Sequence, residues 1–130
     1  MPHATRAEWE RVEIGLRRLP ASVQAGIEAR VASLVAAPSV SPVVCPFLDP
    51  NDGACLVYAH RLLACRTYGY FVSRGDGRWC QRIEAELAER DERVLFGNLD
   101  AVMDEARAAG GETITLARWW SARGPVGRGA

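Results

Sequence analysis

Apolar positions in the first third of the chain recur with the period of an α-helix. One stripe contains Trp9, Val12, Leu16 and Leu19, spaced three or four residues apart. A second stripe of the same spacing runs through Val23, Ile27, Val31 and Leu34. Two amphipathic helices packed on a shared core are therefore predicted over residues 1–36.

Local signals mark the ends of these two helices. The segment TRAE at 5–8 fits a capping box, with Thr5 as the N-cap and Glu8 at the third helical position. Pro20 cannot continue the first helix but suits the first turn of the second. The second stripe fades at about Ala36, where the Pro/Ser-rich connector APSVSPVV begins.

The second half of the chain is also patterned for helices. A long helix is predicted from Arg78 to about Phe96, and Gly97 ends it. Asn98 is a suitable N-cap for a helix over 98–109, which ends at a glycine pair. Thr115 is placed to cap a last short helix, LARWWSAR.

The middle of the chain is less regular. The short apolar segments CPFL and ACLVY flank DPNDG, a strong turn signal, and together they predict a β-hairpin. A turn centred near Pro50 would make Cys45 and Cys55 cross-strand partners. Side chains opposite each other on one face have Cβ atoms about 4.5–5.5 Å apart, so the two thiols would adjoin. A short helix is predicted at 59–66.

These elements predict a mainly α fold in one domain, a small helical fold with a short β-hairpin and a four-cysteine metal site. A chain of 130 residues has the length of a single domain. Its predicted parts are an N-terminal helical pair at 1–36, a cysteine-rich metal-binding segment at 45–80, C-terminal helices at 81–122 and a flexible tail at 123–130.

Composition narrows the class of protein. The sequence is 48% hydrophobic and 25% charged, with a formal net charge of zero, which argues against nucleic acid as a partner. No apolar run approaches the length of a membrane span, and the N-terminus has no hydrophobic signal region. The expected location is the cytoplasm. All sixteen basic residues are arginine, which fits a GC-rich bacterial genome.

The cysteines change this picture most. Cys45, Cys55 and Cys65 stand at equal intervals, and Cys80 follows at the start of the predicted long helix. Cytoplasmic thiols stay reduced, so clustered cysteines there favour metal binding over a disulfide framework. A site of four thiolates is therefore predicted. The alternatives are four inert buried thiols, or a disulfide between the first two cysteines.

Two metal species suit four thiolates, an iron–sulfur cluster and a zinc ion. Structural zinc sites usually contain CxxC pairs, which this chain lacks, and wider spacing favours the bulkier iron–sulfur cluster. A [4Fe–4S] cluster is thus expected, with zinc as the alternative. Either centre would carry negative charge, and Arg61 and Arg66 are predicted to contact it through hydrogen bonds near the sulfurs.

The segment CPFLD…GACLVYAHRLLACRTYGY resembles the YkgJ-type family, bacterial CxxCxxCC proteins described as zinc- or iron-chelating. The matching positions are Cys45, Phe47, Leu48, Gly53, Cys55, Val57, Tyr58, Arg61, Cys65, Arg66, Tyr68 and, further on, Cys80. The resemblance covers about a quarter of the chain and implies metal chelation without naming a reaction. Two features depart from the family: Leu62 replaces its usual proline, and the N-terminal CxxCxxCC cluster is absent.

Other residues near the cysteines have simpler interpretations. Asp49 and Asp52 are expected to form backbone hydrogen bonds within the turn rather than act as an acid–base pair. His60 is expected to be a partly exposed helix residue, with metal ligation as the alternative. The aromatic residues beside the cysteines are expected to exclude water from the site or to pack in the core. They are Tyr58, Tyr68, Tyr70 and Phe71.

The adjacent residues Trp119 and Trp120 predict a contact surface. On a helix their side chains diverge by about 100°, so both can hardly face one core. One of them is therefore expected to contact a protein partner, because tryptophan is favoured at such contacts.

Three functions remain open from the sequence. The first is a metal-binding protein with one iron–sulfur cluster or zinc ion, acting in electron transfer or redox sensing. The second is an enzyme that uses this centre or a reactive cysteine in catalysis. The third is a zinc-stabilised adaptor for protein interactions. No nucleotide-binding, zinc-protease or nucleophile-elbow motif is present to favour an enzyme.

Overall fold

The computed structural model describes residues 3–36, 43–73, 81–90 and 95–123. Helices account for most of these residues, so the mainly α prediction is confirmed. In chain order the elements are β1 (His3–Thr5), α1 (Arg6–Arg17), α2 (Ala21–Ala36), a 3₁₀ turn (Tyr58–His60), α3 (Leu63–Thr67), β2 (Phe71–Val72), α4 (Gln81–Glu89), β3 (Gly97–Asn98), α5 (Leu99–Gly110), β4 (Thr113–Thr115) and α6 (Leu116–Ala122).

The predicted capping box starts α1. The Glu8 backbone N–H donates to Thr5 Oγ1 at 3.3 Å, and the Thr5 backbone N–H donates to Glu8 Oε2 at 2.9 Å. These bonds satisfy donors that the first turn of a helix leaves without intrahelical partners. The start of α1 is therefore determined by residues within four positions of each other.

A single hydrophobic core joins the N-terminal helices to the cysteine segment and to α6. Leu16 and Ile27 are fully buried and link α1 to α2. Each such side chain stabilises the fold by about 1.5–3 kcal/mol through burial. The other buried apolar members are Ala4, Trp9, Val12, Val31, Phe47, Val57, Leu62, Leu116 and Trp119.

A two-stranded antiparallel sheet closes this core, and sequence patterning missed it. Strands β1 and β4 pair in the register His3 with Thr115, Ala4 with Ile114 and Thr5 with Thr113. The indole Nε1–H of Trp119 donates to the Ala4 carbonyl at 2.8 Å. Strands of three residues carry too little pattern to identify, because their stability comes from a partner more than a hundred residues away.

The predicted caps of the C-terminal helices are confirmed. The Asn98 side chain accepts a hydrogen bond from the Ala101 backbone N–H, and Thr115 Oγ1 accepts one from the Arg118 N–H. Gly111 follows α5 with φ near +78°, a conformation that other residues rarely adopt. The end of α6 contacts α1 through an ion pair between Arg123 and Glu13, whose atoms are 3.7 Å apart.

The predicted long helix differs from the structure at its end. Helix α4 covers Gln81–Glu89, and Leu95 and Phe96 are not helical. Strands β2 and β3 pair in parallel, and the Gly97 N–H donates to the Tyr70 carbonyl at 3.0 Å. This pairing requires an extended chain before α5. Residues 74–80 and 91–94 lie outside the described residues.

The predicted hairpin is smaller than expected, and the short helix at 59–66 is divided. The hairpin retains one antiparallel bridge, and the short helix becomes the 3₁₀ turn followed by α3. Within the four described ranges, no helix combines the length and apolar character needed to cross a membrane.

Candidate metal centre

The turn between Asp49 and Ala54 is built from its own side chains. Asp49 Oδ1 accepts from the Asn51 backbone N–H at 2.8 Å, and Asp52 Oδ1 accepts from the Ala54 N–H at 2.8 Å. Gly53 has φ near +73°, which closes the turn at no cost to a side chain. The expectation that both aspartates serve the turn is confirmed.

This turn changes the predicted pairing of the cysteines. The bridge joins Leu48 with Cys55, so Cys45 and Cys55 are not cross-strand partners and that prediction is wrong. The turn is centred after Asn51 rather than at Pro50. In addition, the Leu48 N–H donates to the Cys45 carbonyl at 3.2 Å, which bends the chain away from the second strand. Cys45 therefore reaches the site from a reverse turn.

Glu8 positions the segment that carries Cys65. Its Oε1 atom accepts a hydrogen bond from the Leu63 backbone N–H at 2.6 Å, while its Oε2 atom completes the capping box of α1. One carboxylate thus caps the starts of α1 and α3. Beside it, Leu62 is buried in the core.

Cys45 and Cys65 have raised pKa values, and neighbouring thiols contribute to both shifts. Burial raises the pKa of Cys45, and the nearby Cys55 raises it further. Burial also raises the pKa of Cys65, and the nearby Cys45 and Cys55 raise it further. Each of these groups disfavours a second negative charge nearby. The fold thus gathers Cys45, Cys55 and Cys65 in one region, although Cys45 and Cys65 keep much of their surface exposed.

Two arginines oppose this effect, and only one was predicted. Arg61 lowers the pKa of Cys65, while Arg30 lowers that of Cys45. Arg30 lies on α2, and its Nε–H donates to the Pro46 carbonyl at 3.0 Å. Arg30 was not predicted, because it precedes Cys45 by fifteen residues and belongs to another element. Its position beside the apolar stripe of α2 gives no local signal of this contact.

Arg66 forms hydrogen bonds with the backbone of the preceding segment. Its Nε–H donates to the Arg61 carbonyl at 2.9 Å, and its Nη2–H donates to the Ala59 carbonyl at 2.7 Å. These bonds hold the end of α3 against the 3₁₀ turn. The predicted contact of Arg66 with a cofactor stays a prediction.

The described thiols do not form a closed metal site. Among the residues that the structure describes, no three His, Cys, Asp or Glu side chains are arranged to hold a metal ion. Cys80, the fourth predicted ligand, lies outside the described residues. Three thiols with two arginines nearby suit a metal centre bound by thiolates. The sulfurs would have to move closer together to bind one such centre.

The aromatic residues around the cysteines differ from expectation. Tyr58, Tyr68 and Tyr70 are 64%, 62% and 71% exposed, so the prediction that they exclude water is wrong. Phe71 is half-buried. His60 is also half-buried and lies against α1, where a Cβ at Gly15 would meet the imidazole Cδ2 at 3.0 Å. The predicted partly exposed position of His60 is confirmed.

Both tryptophans of α6 pack inside the protein. Trp119 is buried, and Trp120 is half-buried with its ring 6.0 Å from Trp9 and 6.2 Å from Phe47. The Arg123 guanidinium lies over the Trp120 ring at 4.8 Å. Helix α6 buries both rings because the core surrounds Trp119 and the cysteine segment covers Trp120. A protein contact through this pair stays a prediction.

Comparisons of the chain with family models, with curated proteins and with solved structures found no match. The resemblance to the YkgJ-type family therefore stays a prediction.

Proposed function

We propose that this protein binds one metal centre, an iron–sulfur cluster or otherwise a zinc ion, through Cys45, Cys55, Cys65 and Cys80. The observation that carries the proposal is the proximity of the three described thiols, because Cys55 raises the pKa of Cys45, and Cys45 and Cys55 both raise the pKa of Cys65. Neighbouring thiols repel one another once they are ionised to thiolates, and a bound cation relieves this repulsion.

The local charges support the same proposal. Arg30 on α2 lowers the pKa of Cys45, and Arg61, which follows the 3₁₀ turn, lowers the pKa of Cys65. A centre bound by four thiolates carries net negative charge, which these guanidinium groups offset. The Arg30 bond to the Pro46 carbonyl also holds the backbone next to Cys45. When bound, the centre would supply one-electron chemistry if iron–sulfur and structural support if zinc.

Elemental analysis of anaerobically purified protein, together with its absorption spectrum, tests the proposal. We expect iron and sulfide in one centre per chain, and zinc without sulfide is the alternative result. A protein free of both metals, with four thiols that react freely with a thiol reagent, would contradict metal binding.

A cysteine variant assigns the centre to this segment. We expect Cys55→Ser to lose the metal and the stabilisation that it gives to the hairpin. The matched control is Ala54→Ser, which adds a hydroxyl at the exposed neighbouring position and should keep full metal content. Cys80→Ser tests the fourth ligand in the same way. Full metal content in both cysteine variants would place the metal elsewhere.

The metal content also separates the open roles. A cluster that is reduced and reoxidised reversibly supports electron transfer or redox sensing. A redox-silent zinc ion instead supports the adaptor.

A further inference from the structure

The exposed tyrosines lie on two segments that one arginine holds together. Tyr58 belongs to the 3₁₀ turn, and Tyr68 and Tyr70 follow α3. Arg66 joins these segments through its bonds to the carbonyls of Ala59 and Arg61. We call the surface formed by these tyrosines and the two arginines beside them the tyrosine face. It consists of Tyr58, Arg61, Arg66, Tyr68 and Tyr70.

The tyrosine face exposes a large aromatic area. A tyrosine side chain offers about 150–250 Å² of surface, so three that are about two-thirds exposed leave roughly 300–500 Å² in contact with water. Stable interfaces bury about 800 Å² on each partner. The tyrosines thus supply about half of the area that a stable contact needs. The rest of this area must come from neighbouring polar residues.

The charge of the tyrosine face indicates what covers it. Residues 53–73 contain Arg61 and Arg66 but no carboxylate. The Arg61 guanidinium lies 3.6 Å from the centre of the Tyr58 ring, a geometry that adds cationic character to an aromatic surface. A complementary partner therefore presents carboxylates.

Such a surface exists on this chain, in α4 and α5. These helices carry six exposed carboxylates and two arginines, and two of the carboxylates are ion-paired, Glu86 with Arg90 and Asp104 with Arg107. The carboxylates are Glu84, Glu86, Glu89, Asp100, Asp104 and Glu105. Helix α5 contacts β2, which follows Tyr70 directly, and a Cβ at Gly69 would lie 2.8 Å from Ile83 of α4. Helices α4 and α5 therefore lie next to the segment that carries Tyr68 and Tyr70.

Two surfaces of opposite charge on one chain suit a closed two-fold contact. We propose that the tyrosine face binds a second copy of this chain, in a symmetric dimer in which each tyrosine face meets the α4–α5 surface of the other copy. Nucleic acid fits the face less well, because the face has two arginines and phosphate binding draws on a larger number of cations. The inference does not depend on metal binding.

Sedimentation velocity of the full chain tests this dimer over about 1–300 µM protein. We expect a monomer–dimer equilibrium with a dissociation constant of roughly 10–100 µM, weaker at about 500 mM NaCl than at about 50 mM. The measurement is made on protein with and without its metal, so failure of metal binding does not affect it. A monomer at every concentration would overturn the dimer.

Substitutions locate the contact. We expect Tyr68→Ser combined with Tyr70→Ser to weaken the dimer at least tenfold at unchanged melting temperature. Val35→Ser is the matched control, since Val35 is 49% exposed on α2, and its dimer should be as strong as that of the unmodified protein. A dimer that persists in the tyrosine variant would overturn the assignment to this face.

A charge exchange tests the symmetry. Arg61→Glu and Glu105→Arg should each weaken self-association at least tenfold, because each creates two like-charge contacts per dimer. Mixed together, the two variants should form a heterodimer that restores one contact and keeps the other. If the mixture stays monomeric, or if the unmodified monomer instead binds poly-glutamate or a single-stranded oligonucleotide, the dimer proposal is overturned.

Discussion

The helical scaffold and the cysteine segment are stabilised in different ways. In the scaffold, α1, α2 and α6 bury large apolar side chains, and Leu16 and Ile27 have no exposed surface. In the cysteine segment, Phe47, Val57 and Leu62 are the only buried apolar residues among those that the structure describes there. Its shape depends instead on hydrogen bonds that Asp49 and Asp52 accept and that Arg66 donates.

This difference teaches where a metal would act. A segment with few buried apolar residues gains more from a bound metal than a scaffold that is already packed. The scaffold nevertheless controls the segment through two contacts, Glu8 with the Leu63 N–H and Arg30 with the Pro46 carbonyl. We expect substitutions in the scaffold and in the cysteine segment to separate these two sources of stability, with the largest effect in the scaffold.

Leu16→Ala should have the largest effect, because it removes a fully buried side chain from the scaffold. We expect the free energy of unfolding to fall by about 2–5 kcal/mol, with or without metal. Urea unfolding measures this loss. Leu95→Ala is the control, since Leu95 is 97% exposed and its removal should change stability by less than about 0.5 kcal/mol. Equal effects of the two variants would show that the scaffold is not the main source of stability.

Glu8→Gln should weaken the connection between the two regions. The carboxylate accepts hydrogen bonds from Thr5 and Leu63, and the amide retains only part of this capacity. We expect a loss of about 1–3 kcal/mol by thermal or urea unfolding. Glu10→Gln is the control on the exposed side of α1. Amide hydrogen exchange should also accelerate at the start of α3. Unchanged exchange there would show that Glu8 does not stabilise the cysteine segment.

The stability of the metal-free protein should decrease at alkaline pH. In the folded state the pKa values of the Cys45 and Cys65 thiols lie above the ordinary 9.0. As pH rises beyond 9.0, the unfolded chain releases these protons first, so the free energy of unfolding falls until the folded thiols ionise as well. Below the ordinary pKa this contribution to stability is fully present.

A series of urea titrations at increasing pH measures the effect. The double variant Cys45→Ser, Cys65→Ser should lose less stability than the unmodified protein over the same pH range. An identical pH dependence of both proteins would contradict the influence of the thiols.

Asp49→Ala should have the smallest effect. It removes the acceptor for the Asn51 backbone and side-chain N–H groups in an exposed turn, so we expect a loss of about 0.5–1.5 kcal/mol. Pro50→Ala at the neighbouring exposed position serves as the control for the turn. If the turn determines the Leu48–Cys55 register, Asp49→Ala should also lower metal affinity, which a chelator competition measures. Unchanged affinity would mean that the turn does not position Cys55.

The candidate site was predictable from the sequence only in part. The role of Asp49 and Asp52 followed from turn chemistry, whereas the convergence of Cys45, Cys55 and Cys65 on one centre stays a prediction. The register of the bridge was not predictable in the same way, because a shift of the turn centre by one or two residues replaces Cys45 by Leu48 as the partner of Cys55.

The sequence by itself determined the elements whose stabilising contacts are local. Thr5, Asn98 and Thr115 cap helices through atoms three residues away, and these positions were predicted correctly. Only the tertiary structure decided which distant segments meet. The pairing of β1 with β4 and the contact of Arg30 with Pro46 join separate elements. Local propensity acts over a few residues, whereas such pairings depend on how the whole core packs.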